Sequence, residues 1–476
     1  MRCALLAALA LALALLLPAP TALAVARPAY GGELRLLLPA VPRAVEPGRA
    51  VEPADVLLMR ALHATPLELD ADGRLVPGLL EEVPAPQVGG RAFRLRLRPG
   101  LRFSDGTPLG AQDVAASLAR LLRRDVPGAW VALPILGADA LLDGRAAALA
   151  GVQVLSDREL LVTLAFPLPE WPWALAAPAA AVTSPRGAGA GPFRLVSLDA
   201  GGARLAQNPE HHRGRPFADA LWLGAADARA AARALERGEV DGVLRPEAAS
   251  PDAVAGPALT ATVVAQNPGR LGAAAEPVRR ALLALDRAEL ARRFVRGPSA
   301  PLETVVPPGL LPAPPLPAPA PTAAAAPAQA ALLVLATAPD GRAVADRLQV
   351  QLSDRGVRLA VQAEPPERYA ARLAAGDYDL ALVAGPPVAL QPSLAAGAVA
   401  LAVRGPAAAR QAMAGLAGLD AGAAQPRAAG LSAALQVVPL HASGLRATAA
   451  PALQGWSPRA DGTVDPGDLW RLGGGR

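Results

Sequence analysis

The sequence predicts an α/β protein built as two lobes, and three observations carry that prediction. At 476 residues the chain is longer than one compact core usually supports. Phe93 to Leu122 reads as strand, turn, short strand, turn and amphipathic helix. Ala331–Thr337, Asp340–Gly356 and Val357–Val361 read as a strand–helix–strand unit, the building block of a parallel sheet.

Taken in order, the chain opens with Arg2, an apolar run from Ala4 to Leu17, and small-residue sites ending at Ala24 and Ala26. That is the pattern of a secretory signal peptide over residues 1–26, with cleavage expected near Ala24 or Ala26. The run is shorter than the roughly 20 apolar residues a membrane span needs. Cys3, the one cysteine, lies in this leader, before its apolar core, so the exported chain is expected to carry no disulfide, lipid anchor or Cys-based metal site. Gly31 to Leu38 reads as the first strand and Asp55 to Leu62 as a short helix, followed by Leu67–Asp70, the turn Ala71-Asp72-Gly73 and Leu75–Leu79.

Between residues 93 and 98, Phe93, Leu95 and Leu97 alternate with Arg94, Arg96 and Arg98, the period of a half-buried strand. Pro99-Gly100 and Asp105-Gly106 supply turns. Val114, Leu118, Leu121 and Leu122 then share one helical face, with Gly110 a weak N-cap. Gly151–Asp157 and Glu159–Phe166 read as a strand pair. Pro307 to Ala330 is almost wholly Pro, Ala and Leu, the composition of an extended or disordered spacer.

The order "RPG", "F-x-DG-x-PL" and a helix with "DV", carried here by Arg98-Pro99-Gly100, Phe103 to Leu109 and Asp113-Val114, resembles the family 5 solute-binding proteins of oligopeptide, dipeptide and nickel ABC importers. Further stretches resemble that family: Gly191-Pro192-Phe193 with Asn208 to Pro216, Gly238-Glu239-Val240-Asp241, Pro277 to Arg287, and Arg368 to Leu380 ending in Gly376-Asp377-Tyr378-Asp379-Leu380. The resemblance implies a class II-like periplasmic binding protein fold with an enlarged first lobe, a hinge and a central ligand cleft. Mapped on this chain, it implies a first lobe over 27–265 with 443–476 returning to it, and a second lobe over 266–442. It also implies a periplasmic location, a small-molecule or short-peptide ligand, an ABC permease in the inner membrane as partner, and action as a monomer.

All 46 basic residues are Arg, set against 41 acidic ones for a net charge of +5. Arg is scattered, with no basic block or interleaved aromatics, which argues against nucleic acid as a partner. No Gly-rich phosphate loop and no paired catalytic set is present, so neither a cofactor nor catalysis is expected. His211-His212 is adjacent on a segment read as extended, which points the rings apart and suits a surface turn better than a metal site.

For ligand contact the candidates are Trp171, Trp173, His441 and Trp456. Trp171 and Trp173 flank a proline, and stacking on a peptide or cation is weighed there against simple loop packing. Val438 to His441 resembles the family's "V-P-L-F/Y-H" strand near the hinge; Trp456 lies in the returning tail and is read as core at least as readily. After Leu380, peptide binders of the family place an Asp that pairs with the peptide ammonium, whereas this chain has no acid before Asp420. The resulting expectation is an import-system solute receptor. A degenerate relative with a collapsed cleft, serving a structural or regulatory role, is the alternative, and a secreted hydrolase the remote one.

Overall fold

A computed structural model describes residue 28 and residues 30–312, 328–338, 340–385 and 390–473. The expected signal peptide and the centre of the Pro/Ala segment lie outside the described residues.

Two large sheets organise the chain. The seven-stranded sheet runs Val254–Ala255, Arg446–Ala449, Gly242–Arg245, Glu33–Leu38, Ala220–Ala225, Gly202–Gln207, Phe193–Asp199. Its centre is parallel, Glu33–Leu38 lying between Gly242–Arg245 and Ala220–Ala225. Leu34, Leu36 and Leu38 face one core beneath the helix Pro53–Leu62, while Leu37 faces Ala231 of the helix Ala228–Glu236 on the other side. Burial on both faces explains why this strand reads almost continuously apolar.

The six-stranded sheet runs Ser299–Pro301, Val437–Ser443, Thr260–Gln266, Leu380–Ala384, Ala328–Leu335, Val357–Glu364. Ala328–Leu335 pairs in parallel with Val357–Glu364 through the helix Gly341–Ser353, the strand–helix–strand unit expected from sequence. Leu332, Val334, Val264 and Leu380 meet the helices Ala275–Leu283, Arg287–Phe294 and Gly341–Ser353. Leu333, Val263, Ala265 and Ala381 face the opposite core, with Pro392–Arg404, Pro406–Leu416 and Ala421–Ala434. Alternation by two thus assigns each side chain to a face.

A third, smaller sheet orders Ala92–Arg96, Glu159–Thr163 and Val152–Ser156. Phe93 and Leu95 are fully buried, while Arg94 and Arg96 stay outside against Glu159. The helix Ala111–Arg120 follows, its N-terminus closed by Asp113, whose Oδ2 accepts from Gly110 N at 2.9 Å. Three details differ from expectation. The short strand after Gly100 is a single bridge between Arg102 and Pro108. Leu121 and Leu122 are buried just beyond the helix end. The edges of the Pro/Ala segment are ordered: Leu310 N and Leu311 N donate to Pro307 O, Leu311 is buried, and residues 328–330 already belong to a strand. Buried leucine side chains and ladder bonds give those edges what Pro and Ala alone lack.

The chain passes between the two large sheets twice, at 256–259 and at 444–445. The crossings lie side by side, Gly256 N donating to Leu445 O at 2.8 Å and Gly444 N to Pro298 O at 2.9 Å. A Cβ at Gly444 would sit 2.3 Å from Pro257 O, so glycine is required for the approach.

Candidate functional site

In open α/β sheets, ligands sit beyond the carboxyl ends of parallel strands. Here those ends are tied together by charge. Arg245, 7% exposed at the end of its strand, donates through Nη1 to Ala226 O and, at 3.4 Å, to Leu38 O. One guanidinium thereby gathers the ends of three neighbouring strands. Glu247 continues the chain: Arg245 Nε lies 3.4 Å from its Oε2, and Arg296 Nη1 lies 2.6 Å from its Oε1. Arg296 also bonds Asp340 at 2.6 Å, just past the carboxyl end of Ala328–Leu335. The run Arg245–Glu247–Arg296–Asp340 therefore links the carboxyl edges of the two sheets. Glu247 is held below the usual carboxylate range: burial opposes this, but its backbone hydrogen bond, Arg296 and Arg245 outweigh burial.

A second polar network lies beneath the returning tail. Asp465 Oδ2 accepts from Arg459 Nη2 at 2.9 Å and Arg213 Nη2 at 3.0 Å. Arg459 Nη1 donates to Leu69 O at 2.9 Å, and Glu68 stands 3.5 Å from Arg213 and 3.6 Å from His212. Burial works against the charged form of Asp465, yet Arg459 and Arg213 prevail and hold its pKa at about 2. Burial pushes Glu68 the other way, upward. Nearby, the turn at Gly73 reaches both Ala460 of the tail and Leu390, which follows the strand Leu380–Ala384 of the other sheet; a Cβ on Gly73 would lie 2.5 Å from Ala460 and 3.2 Å from Leu390. That turn thus touches both the tail and the segment after Leu380–Ala384.

The residues expected to touch ligand do not share one cluster. Trp171 is fully buried, its Nε1 donating to Val131 O at 2.9 Å and its ring tilted on Phe93. Trp173, two residues on, is only partly buried against the same core. Trp456 is 3% exposed under the seven-stranded sheet, bonded to Val243 O. His441 is buried in Val437–Ser443, opposite Thr262 and Pro301, and burial lowers its pKa to about 4.

The histidine pair is a correction. His211 and His212 are not a surface turn with rings pointing apart. Both side chains are enclosed, and the rings meet edge to face with centroids 4.5 Å apart. Asn208 explains this, since its Nδ2 donates to Gly191 O and its Oδ1 accepts from Glu210 N, bending the chain into a turn. Burial is the largest cause of their lowered pKa values, about 4 for His211 and about 3 for His212, so both are neutral at pH 7. Among the described residues no group of three or more His, Cys, Asp or Glu could hold a metal ion. No described helix is long and apolar enough to cross a membrane.

The two ionic networks were not foreseen. Their members lie up to several hundred positions apart, and only the folded sheets bring them together.

Comparison with known proteins agrees with this architecture. The family model for bacterial extracellular solute-binding proteins, family 5, matches residues 74–396, more than half of the chain. The periplasmic murein peptide-binding protein MppA of Escherichia coli is 30% identical over 133 residues, a match spanning 27% of this chain and 24% of that relative. In three dimensions, the structure of MppA superposes with a TM-score of 0.77 at 19% identity, covering 94% of this chain and 100% of that one. The unliganded open form of MppA gives 0.63, with 94% and 98% covered. Haemophilus influenzae OppA in complex with RPPGFSPFR gives 0.77 at 16% identity, with 94% and 100% covered. The fold is that of the two-lobe periplasmic binding proteins. The chain belongs to the bacterial extracellular solute-binding proteins, family 5.

Proposed function

We propose that the protein captures a peptide-like or other small solute between its two lobes, in the periplasm, and delivers it to an ABC permease of the inner membrane. The lobes are taken as 27–265 with 443–476, and 266–442, the paired crossings at 256–259 and 444–445 serving as hinge. The observation that carries this reading is the meeting of both sheets' carboxyl edges at Arg245, Glu247, Arg296 and Asp340, the crevice position favoured for ligands in such folds. A relative whose name mentions murein peptide, and a similar structure in complex with the peptide RPPGFSPFR, support a peptide-like solute. No bond chemistry and no cofactor enter this reading. Of the four expected contact residues, Trp173 is retained as a ligand contact, because its ring is only partly buried; Trp171, His441 and Trp456 support the walls.

The test is a thermal-shift and calorimetry screen of the exported chain against short peptides, including murein peptides, and non-peptide solutes. A solute present at a hundredfold excess over its Kd stabilises the folded protein by about 2.7 kcal/mol, an easily read shift. A flat response to every solute defeats the transport reading. It would favour the degenerate relative with a collapsed cleft, which one observation supports: the apolar core is continuous from the three-stranded sheet to the helices 392–416.

A further inference from the structure

The helices Pro392–Arg404 and Pro406–Leu416 follow a strand of the six-stranded sheet, yet they pack on the segment Pro127–Val131, which shares its apolar core with the three-stranded sheet. Along Pro392–Arg404 every residue from Ser393 to Ala400 is buried. Polar ties cross the same boundary. Glu170 Oε1 accepts from Ser393 Oγ at 2.5 Å, and both carboxylate oxygens lie 3.2–3.3 Å from Gly418 N. Arg410 pairs with Asp139. A Cβ placed on Gly418 would lie 3.5 Å from the Pro169 ring, an ordinary contact across the same boundary.

The ties differ in weight. Asp139 is 53% exposed, and ion pairs that open to water contribute little. Ser393 is 1% exposed and has its hydroxyl aimed at a carboxylate, the stronger kind of hydrogen bond. Glu170 therefore carries most of the polar attachment. The whole-molecule arrangement agrees, because the chain superposes better on MppA in the structure scoring 0.77 than on the same protein's unliganded open form at 0.63.

We propose that Glu170 is the keeper of a latch that holds the second lobe against the first and biases the protein toward its closed form before solute binds. This rests on the reading that the two lobes close on a solute, but its test needs no solute. Loss of charged hydrogen bonds of this kind shifts a two-state ratio by about tenfold or more.

The experiment measures the distance distribution between spin labels at Val154→Cys and Val350→Cys, in the exported chain. Val154 is on the three-stranded sheet and Val350 on the helix Gly341–Ser353, and both are exposed. The parent is expected to show one short distance. Glu170→Ala should add a longer population, raising the open-to-closed ratio about tenfold, and Ser393→Ala should move it the same way by less. An unchanged distribution in a folded Glu170→Ala protein overturns the latch. Should Glu170→Ala fail to fold, Ser393→Ala, which removes one hydroxyl, decides in the same manner. A solute screen without hits, alongside an opened Glu170→Ala, would defeat transport and leave the latch standing.

Discussion

Replacing Asp465 with Asn isolates what the network under the returning tail contributes. The substitution keeps the size of the side chain but removes the charge that Arg459 and Arg213 share at 2.9 and 3.0 Å. Breaking a buried ion pair from one side costs about 3–5 kcal/mol, because the partner is left without its counter-charge. Two features argue for the lower end. Arg213 is 39% exposed and can turn to water, and Asp468 still pairs with Arg459 at 2.6 Å. Arg459, 13% exposed, has less freedom. A loss of about 3 kcal/mol corresponds to a fall in Tm of roughly 3 to 6 °C, the smaller figure if the whole chain unfolds together and the larger if one lobe unfolds alone. Differential scanning calorimetry of Asp465→Asn against the parent reads this directly, with urea midpoints as a second measure. The deficit should largely persist in 0.5 M salt, since screening acts weakly on enclosed charges (the Debye length, between about 3 and 8 Å at that strength, applies to solvent and not to the interior). A Tm within about 1 °C of the parent would refute the reasoning.

Acid should unfold this protein early. His63, His211 and His441 have pKa values lowered to about 4 and His212 to about 3, each chiefly by burial. Their folded values lie below the unfolded value near 6.5, so the unfolded chain binds more protons in between. Stability is therefore complete above about pH 6.5 and drains as pH falls toward 4, and toward 3 for His212, by at most about 3 kcal/mol for each histidine lowered to 4. Asp465 adds a loss between about 3.8 and 2, while the raised carboxyls of Glu52 and Glu68 oppose the trend above their ordinary value. Equal urea midpoints at pH 7 and pH 5 would contradict this account. Separately, Gly189→Ala should destabilise by more than about 2 kcal/mol, its Cβ falling 2.0 Å from Leu62 O. Gly187→Ala, with open space around it but φ +84°, should cost only about 1–2 kcal/mol. Chemical denaturation that ranks the two in reverse order would remove the packing argument.

Local periodicity made much of the fold legible. The alternation at 93–97 gave a strand with its arginines outside, and Ala71-Asp72-Gly73 gave a turn, Gly73 having φ +77°, although the short strand pair on either side of it was not foreseen. The helix after Gly110 followed from its apolar face, while the closing of its N-terminus by Asp113 was not foreseen. These signals work because a strand or helix is decided within a few residues. The site was less legible for the opposite reason. Trp171 and Trp456 attracted notice as aromatics, but an indole with its N–H bonded to a backbone carbonyl is equally a core residue, and only tertiary packing distinguishes the two. Arg245 to Asp340, and Glu68 to Asp465, carry no spacing pattern. Their meeting depends on strand order. The histidine pair failed for a local reason, since the Asn208 turn replaced the extended backbone on which opposite-pointing rings depended.

The composition that looked least informative bears on the proposed latch. Alanine accounts for much of the 52% hydrophobic content, and it offers little apolar area per residue. What it permits is close approach. Gly397 sits so near Met413 that a Cβ there would fall 2.4 Å from the methionine side chain, which fixes the helices 392–404 and 406–416 as one compact pair. Such a pair docks with good fit, yet each small side chain removed from water contributes only a fraction of what a leucine would. An interface of this kind can be opened again at modest cost, and the polar ties then decide where the balance lies. On that argument a lobe faced with alanine and held by Glu170 suits reversible closure better than a leucine-rich one, which would weld the crevice shut. Ala396→Leu, at a fully buried position of the first helix, puts the two accounts in opposition. Overpacking costs about 1–3 kcal/mol at a docked interface, so the longer side chain should shift the label distances toward the open form. If they instead shorten or stay fixed, the interface has room to spare and alanine is not what sets the balance.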